Sequence, residues 1–286
     1  MSVTLDEYRR KHAEWVEWLD GSDVHSVSSQ VHTLNHDSAI LRVVLRAVEL
    51  SPNDDYGRPT IDPWFLDAIL RWYTPAVCIG IRKLNEEFKA SDKTKEVYSL
   101  QRLLSDMKAN VHFVTRENVL QMHREHWIAA SNTDEVIRIY SEGVEKLVDA
   151  ICEVGARSRS TTDQMSARLL DIMLNRLEGA CRQIDEYTNK YVAHAASPPS
   201  RQQLLGWRPT YQDIWKAMEI ITRLTGLLVH LLCNKTYAMS LPRRCSDFAK
   251  PWVAEDDVLK LEAVVISYEE KVRSWQEWDT GWLSQL

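Results

Sequence analysis

The sequence predicts an all-α protein, and three observations carry that prediction. Glycine and proline number nine each in 286 residues, about 3% apiece against roughly 7% and 5% in ordinary proteins. An all-β chain needs turn-forming residues roughly every 8–12 positions, more than this composition supplies. Apolar residues also recur at spacings of three and four along most of the chain, the period of an amphipathic helix. Several of these stretches open on a helix-capping residue. With 44% hydrophobic and 27% charged residues, the chain falls among ordinary globular proteins, which excludes disorder as its main state. Its length suits one large domain or two small ones and suffices for a core without disulfides.

Each element can be justified in turn. Thr4 and Glu7 have the spacing of a capping box, and the helix they open carries Tyr8, Trp15, Trp18 and Leu19 before stopping at Gly21. A second helix is expected over about Ser26 to Leu50, on Ile40, Val43, Val44, Ala47 and Val48. Residues 51–61, with Pro52, Gly57 and Pro59, form a loop. Asp62-Pro63 supplies an N-cap and an N1 proline, opening a helix to about Phe88 that Pro75 should kink or divide. Helices follow at about Thr94–Lys108, Thr115–Ala129 and Asn132–Cys152. Arg157 to Thr162 reads as a basic connection. The longest sustained pattern runs from Asp163 to His194, through Leu170, Met173, Leu177, Cys181, Ile184, Tyr187 and Tyr191. A helix from Thr210 to about Met239, a proline-bearing loop and a last helix from about Glu255 to Leu283 complete the chain.

Net charge of −6 excludes a uniformly basic nucleic-acid coat but leaves room for local basic patches. The first nineteen residues lack the apolar centre of a signal peptide. The longest apolar stretch, Leu224 to Cys233, is well short of the roughly 20 residues that span a bilayer. Cys78, Cys152, Cys181, Cys233 and Cys245 are scattered and odd in number, as free thiols of a reducing cytoplasm are. The expectation is a cytoplasmic chain with no membrane contact and no cofactor.

Four constellations are candidates for chemistry. His32 and His36, followed by Asp37, have no third ligand at a supporting position and read as a solvated helix start rather than a zinc site. His123 and His126 lie one turn apart and read as a solvated face. Trp275, Trp278 and Trp282, with Trp15 and Trp18, read as buried packing between the terminal helices or across a dimer. The fourth is Asn189-Lys-Tyr-Val-Ala-His194. On α-helical spacing, residues 184, 187, 191 and 194 share one stripe, so His194 continues an apolar and aromatic face. By itself that histidine suits a helix C-terminus.

Asn189-Lys-Tyr-Val-Ala-His194 resembles the signature of HEPN domains, in the abortive-infection (AbiU-type) branch, where an Arg-(Asp/Asn)-Lys-x-x-Ala-His run ends a long helix. Ile81-Arg-Lys-Leu-Asn85, Ser99-Leu-Gln-Arg-Leu-Leu104, Pro209-Thr-Tyr-Gln-Asp-Ile214 and Ser246-Asp-Phe-Ala-Lys-Pro-Trp252 resemble further segments of that family in the same order. No loop is long enough to mark a domain boundary, so residues 1–60 read as a helical N-terminal extension packed on a helical domain of residues 61–286, for which the resemblance implies a four-helix HEPN-like core with additional C-terminal helices. It also implies a homodimer and a metal-independent endoribonuclease of phage-defence or toxin–antitoxin type, with RNA and an antitoxin or other protein as partners. His194 would be the general acid/base, Lys190 the phosphate contact and Asn189 an orienting group. Tyr187, Tyr191 and Arg182 would contact substrate.

The chain departs from the pattern at one position. Six residues before His194, where the family has arginine, stands Thr188. Lys190 brings charge without a planar fork. Arg182 lies about 18 Å from His194 by helical rise and would act only from a partner chain. Arg157, Arg159, Arg201 and Arg208 are basic residues of adjoining loops and read mainly as surface charge. The alternative is a catalytically degenerate HEPN-like module that binds RNA, a nucleotide or a protein.

Overall fold

A computed structural model describes residues 4–53, 61–87, 97–130, 134–153, 159–193, 208–235, 237, 246–276 and 282–283. The fold is all-α. Among the described residues its α-helices are α1 (Leu5–Asp20), α2 (Val27–Leu50), α3 (Pro63–Leu84), α4 (Leu100–Ala109), α5 (Arg116–Ala130), α6 (Asp134–Ile151), α7 (Ala167–Tyr187), α8 (Tyr211–Cys233) and α9 (Val258–Gln276). An isolated antiparallel bridge joins Thr115 to Gln164.

Local chemistry sets the ends. The Glu7 backbone N–H donates to Thr4 Oγ1 at 3.3 Å while the Glu7 carboxylate accepts from the Thr4 N–H at 2.9 Å, completing the capping box. Thr210 and Asp213 repeat the device at α8. Asp62 accepts from the Trp64 N–H at 2.8 Å, with Pro63 in the first turn of α3. That helix continues unbroken through Pro75 and stops at Asn85 rather than near Phe88. Packing of Val77, Cys78, Ile81 and Leu84 into the core holds it across the proline. Gly80 lets α3 approach α2 closely, since a Cβ there would sit 2.6 Å from Leu34 Cδ2.

Helix α4 begins after Ser99, whose side chain caps the Arg102 N–H. Helix α7 likewise begins only after Ser166, not at Asp163. The preceding residues are diverted into backbone hydrogen bonds with the start of α5: Arg116 N–H to the Asp163 carbonyl, Glu117 N–H to that of Thr161, and Met165 N–H to that of Val114.

Helix α8 organises the interior. It packs against α1, α2, α3, α7 and α9, and its residues from Leu224 to Leu232 are buried except His230. Its apolar run is therefore a central core helix, and no helix among the described residues is long and apolar enough to cross a membrane. One apolar cluster joins residues of α1 to α8, including Trp15, Leu34, Ile81, Leu103, Leu147 and Met173. A second joins α2 and α9 around Val43, Leu261, Val265 and Trp275. A buried polar link ties three helices: Asn35 of α2 donates to Thr222 of α8 at 3.2 Å and accepts from the Tyr268 hydroxyl of α9 at 3.1 Å.

The tryptophans divide between these clusters instead of stacking terminus on terminus. Trp15 donates to Asp106 at 2.7 Å, and Trp18 lies under the guanidinium of the buried Arg102, 4.1 Å away. Trp275 meets the edge of Trp215 at 4.8 Å, Trp282 packs on the first cluster, and Trp278 lies outside the described residues.

Candidate functional site at the end of helix α7

The buried stripe of α7, from Leu169 and Leu170 through Met173, Leu177 and Cys181 to Ile184, faces α3, α4 and α8. At Thr188 the α-helix passes into a π turn, Thr188–Ala193. A π turn closes its hydrogen bonds over five residues instead of four. Of the stripe read from the sequence through 184, 187, 191 and 194, Tyr187 and Tyr191 remain side by side across this turn, and residue 194 lies outside the described residues. Such turns concentrate at functional sites of other proteins because they re-aim side chains.

Thr188 is wholly buried, and its hydroxyl donates to the Ile184 carbonyl at 2.7 Å. The side chain at position 188 therefore belongs to the core. Around it, Asn189 is exposed, Lys190 half-buried and Tyr191 41% exposed. Tyr187 packs on the main core and stacks with Tyr191, ring centres 5.3 Å apart and planes at 19°. Arg208 lies close enough to act on the Tyr187 hydroxyl, which burial pushes above its ordinary pKa. The turn thus gathers an amide, an ammonium group and an aromatic pair. Arg182 is not with them: it is exposed and paired with Glu178 at 3.2 Å on its own helix. His194 lies outside the described residues.

Sequence reasoning missed the acid beneath this turn. Asn85, at the end of α3, donates to Asp185 Oδ2 at 2.6 Å. Asp185 Oδ1 and Asn85 Oδ1 are both buried without a hydrogen-bond partner. Burial pushes Asp185 up to about 6, against the opposing pull of the Asn85 bond and the Arg82 charge. A proton on Asp185 supplies the donor that the two orphaned oxygens lack. Beside it, burial raises the Cys78 thiol to about 12 and Cys181 well above its usual value, so both remain neutral and unreactive.

Asp185 carries a pH prediction. Its folded pKa lies above the unfolded one, so its contribution is present at low pH and lost as pH rises through about 6. Asp185→Asn mimics the protonated acid. Urea unfolding at pH 8 should find the variant about 1–2 kcal/mol more stable than the parent, allowing for partial solvent access. At pH 4 that advantage should vanish.

The remaining candidates resolve as structure. His123 is buried, not solvated: Nε2 lies 2.9 Å from the Leu231 carbonyl and Nδ1 3.0 Å from the Asn234 side chain. Burial lowers its pKa, which favours the neutral ring. Nδ1 faces Asn234 Oδ1 as Nε2 faces the Leu231 carbonyl, and both acceptors oppose the effect of burial. His126 is exposed, as is His32. Among the described residues no three His, Cys, Asp or Glu side chains are arranged to hold a metal ion. Arg159 pairs with Asp149 at 2.7 Å, and Arg157 and Arg201 lie outside the described residues. Cys78, Cys181 and Cys233 are free thiols.

Comparison with family models, curated proteins and solved structures finds no match. The geometry at the end of α7 therefore stands without a relative to interpret it. Helices α3, α4 and α8 pack against α7, and Asn85, which follows α3, is bonded to Asp185.

Proposed function

We propose that this chain is a HEPN-like protein of phage-defence, abortive-infection or toxin–antitoxin type that acts on RNA in the cytoplasm, as a homodimer, at the end of α7. The observation that carries the reading is the π turn at Thr188–Ala193, which falls on the motif and holds Asn189, Lys190 and Tyr191 at or near the surface. In this reading His194 takes the proton of a ribose 2′-OH and later returns one to the leaving 5′-oxygen, a task suited to a group that titrates near neutrality. Lys190 contacts the phosphate as a point charge, Asn189 orients it, and Tyr187 and Tyr191 offer a ring pair for a base. Arg182 would serve only a partner subunit's site. A two-fold dimer would set two such turns across one cleft.

Purified protein incubated with total tRNA in EDTA at low salt tests the reading. The parent should cut, and His194→Ala should lose about 10²–10⁴-fold in rate, the usual worth of general acid–base catalysis. Absence of cutting by the parent across pH 5–9 (about the range in which an imidazole changes state) would contradict it. One observation favours a second reading, a catalytically degenerate module that binds RNA, a nucleotide or an antitoxin through the same face. Thr188 is buried and has no charge to set against a phosphorane. Salt-sensitive RNA binding without cutting would mark that reading.

A further inference from the structure

A second basic surface lies away from the α7 turn. Helices α2, α8 and α9 enclose an open groove of about 800 Å³, whose lining includes Arg42, Arg46, Trp215, Lys260, Tyr268 and Lys271. Four cations face one carboxylate, Glu270, in a chain whose net charge is −6. Two of the cations are already engaged: Arg46 pairs with Glu49 at 2.7 Å and Lys260 with Asp257 at 2.5 Å. Lys271 is exposed and has no carboxylate partner among the described residues.

Arg42 is the unusual member. Its guanidinium lies 4.0 Å from the centre of Trp215 and 5.0 Å from that of Tyr268. The ring faces stabilise its charge. Its Nε is buried and has no hydrogen-bond partner, an arrangement that normally costs free energy unless something else fills it. No carboxylate is paired with this guanidinium among the described residues. The terminal nitrogens of a guanidinium fork match phosphate geometry.

We propose that this groove binds the phosphate of a nucleotide, free or within an oligoribonucleotide. Arg42 holds the phosphate, and Arg46, Lys260 and Lys271 neutralise the charge that follows. The volume is that of a site for a whole nucleotide rather than for a lone anion. An arginine carried on aromatic rings is also a platform on which a base can stack. The groove takes no residue from α7, so its occupancy is independent of cleavage at His194.

The test uses the full chain carrying His194→Ala, so that loss of cutting cannot be confused with loss of binding. One arm measures fluorescence anisotropy of a labelled single-stranded oligoribonucleotide. The other follows intrinsic tryptophan fluorescence, Trp215 included, on adding ATP. The double variant Lys260→Glu/Lys271→Glu changes two exposed positions and keeps the fold, which circular dichroism verifies. It should weaken whichever probe binds by about 10-fold or more and flatten its salt dependence. Arg42→Gln should weaken the same probe. Response to ATP identifies a free nucleotide as the source, and response to the oligonucleotide alone identifies RNA. Failure of both probes to bind, or equal affinity in parent and double variant, would overturn the proposal.

Discussion

Thr188→Arg, which installs the residue found in the HEPN signature, should unfold the end of α7 rather than create a stronger nuclease. Thr188 is wholly buried and bonded to the Ile184 carbonyl, one turn below the point where α7 becomes a π turn. A guanidinium there would be forced into a packed site without a carboxylate to meet it. Overpacking and an unpaired buried charge together should cost about 4 kcal/mol or more in urea unfolding. Thr188→Val keeps the shape and loses only the hydroxyl bond, about 1 kcal/mol. A Thr188→Arg protein as stable as the parent would mean that position 188 opens toward solvent, and would reinstate the family's arginine site.

Acid should destabilise the protein chiefly at the C-terminal end of α8. His12 Nε2 lies 2.8 Å from the Leu232 carbonyl and His123 Nε2 2.9 Å from that of Leu231, with His230 on α8 itself. Burial pushes all three imidazoles down, His230 to about 4. The groups facing them oppose or reinforce this in known directions. His12 and His126 lower His123, His123 lowers His230, and the bonds to Leu231, Leu232, Asn234 and the Lys235 backbone favour protonation. Because the folded pKa is depressed, the stability is complete above about 6.5 and is lost as pH falls toward 4. His230 alone should account for about 2 kcal/mol between pH 7.5 and 4.5. His230→Gln should remove that part of the slope and leave the carboxylate contribution, which urea midpoints across the range would separate. Parallel slopes in parent and variant would contradict the assignment.

Much of the fold was legible because its signals are local. The capping box at Thr4–Glu7 places the start of α1, and Asp62-Pro63 places that of α3. Tertiary contacts decided the rest. Core packing carries α3 through Pro75, and backbone pairing with α5 delays α7 to Ala167. His123 looked solvated from its polar neighbours Arg124 and Glu125, yet it is drawn under the end of α8. At the candidate site the sequence singles out Asn189, Lys190, Tyr187 and Tyr191, which lie in or next to the π turn, with the two tyrosine rings stacked. It does not reveal the π turn, which has no single-residue signature. Nor does it reveal that Asn85 and Asp185, a hundred residues apart, share a hydrogen bond.

The most direct test of the proposed chemistry compares an RNA oligonucleotide with its 2′-deoxy counterpart, in EDTA, and analyses the ends produced. Attack by the 2′-OH predicts that the parent cuts RNA alone, leaving a 2′,3′-cyclic phosphate and a 5′-hydroxyl, with the deoxy strand intact. Cutting of the deoxy strand, or cutting that needs added divalent metal, would contradict a His194-driven transesterification.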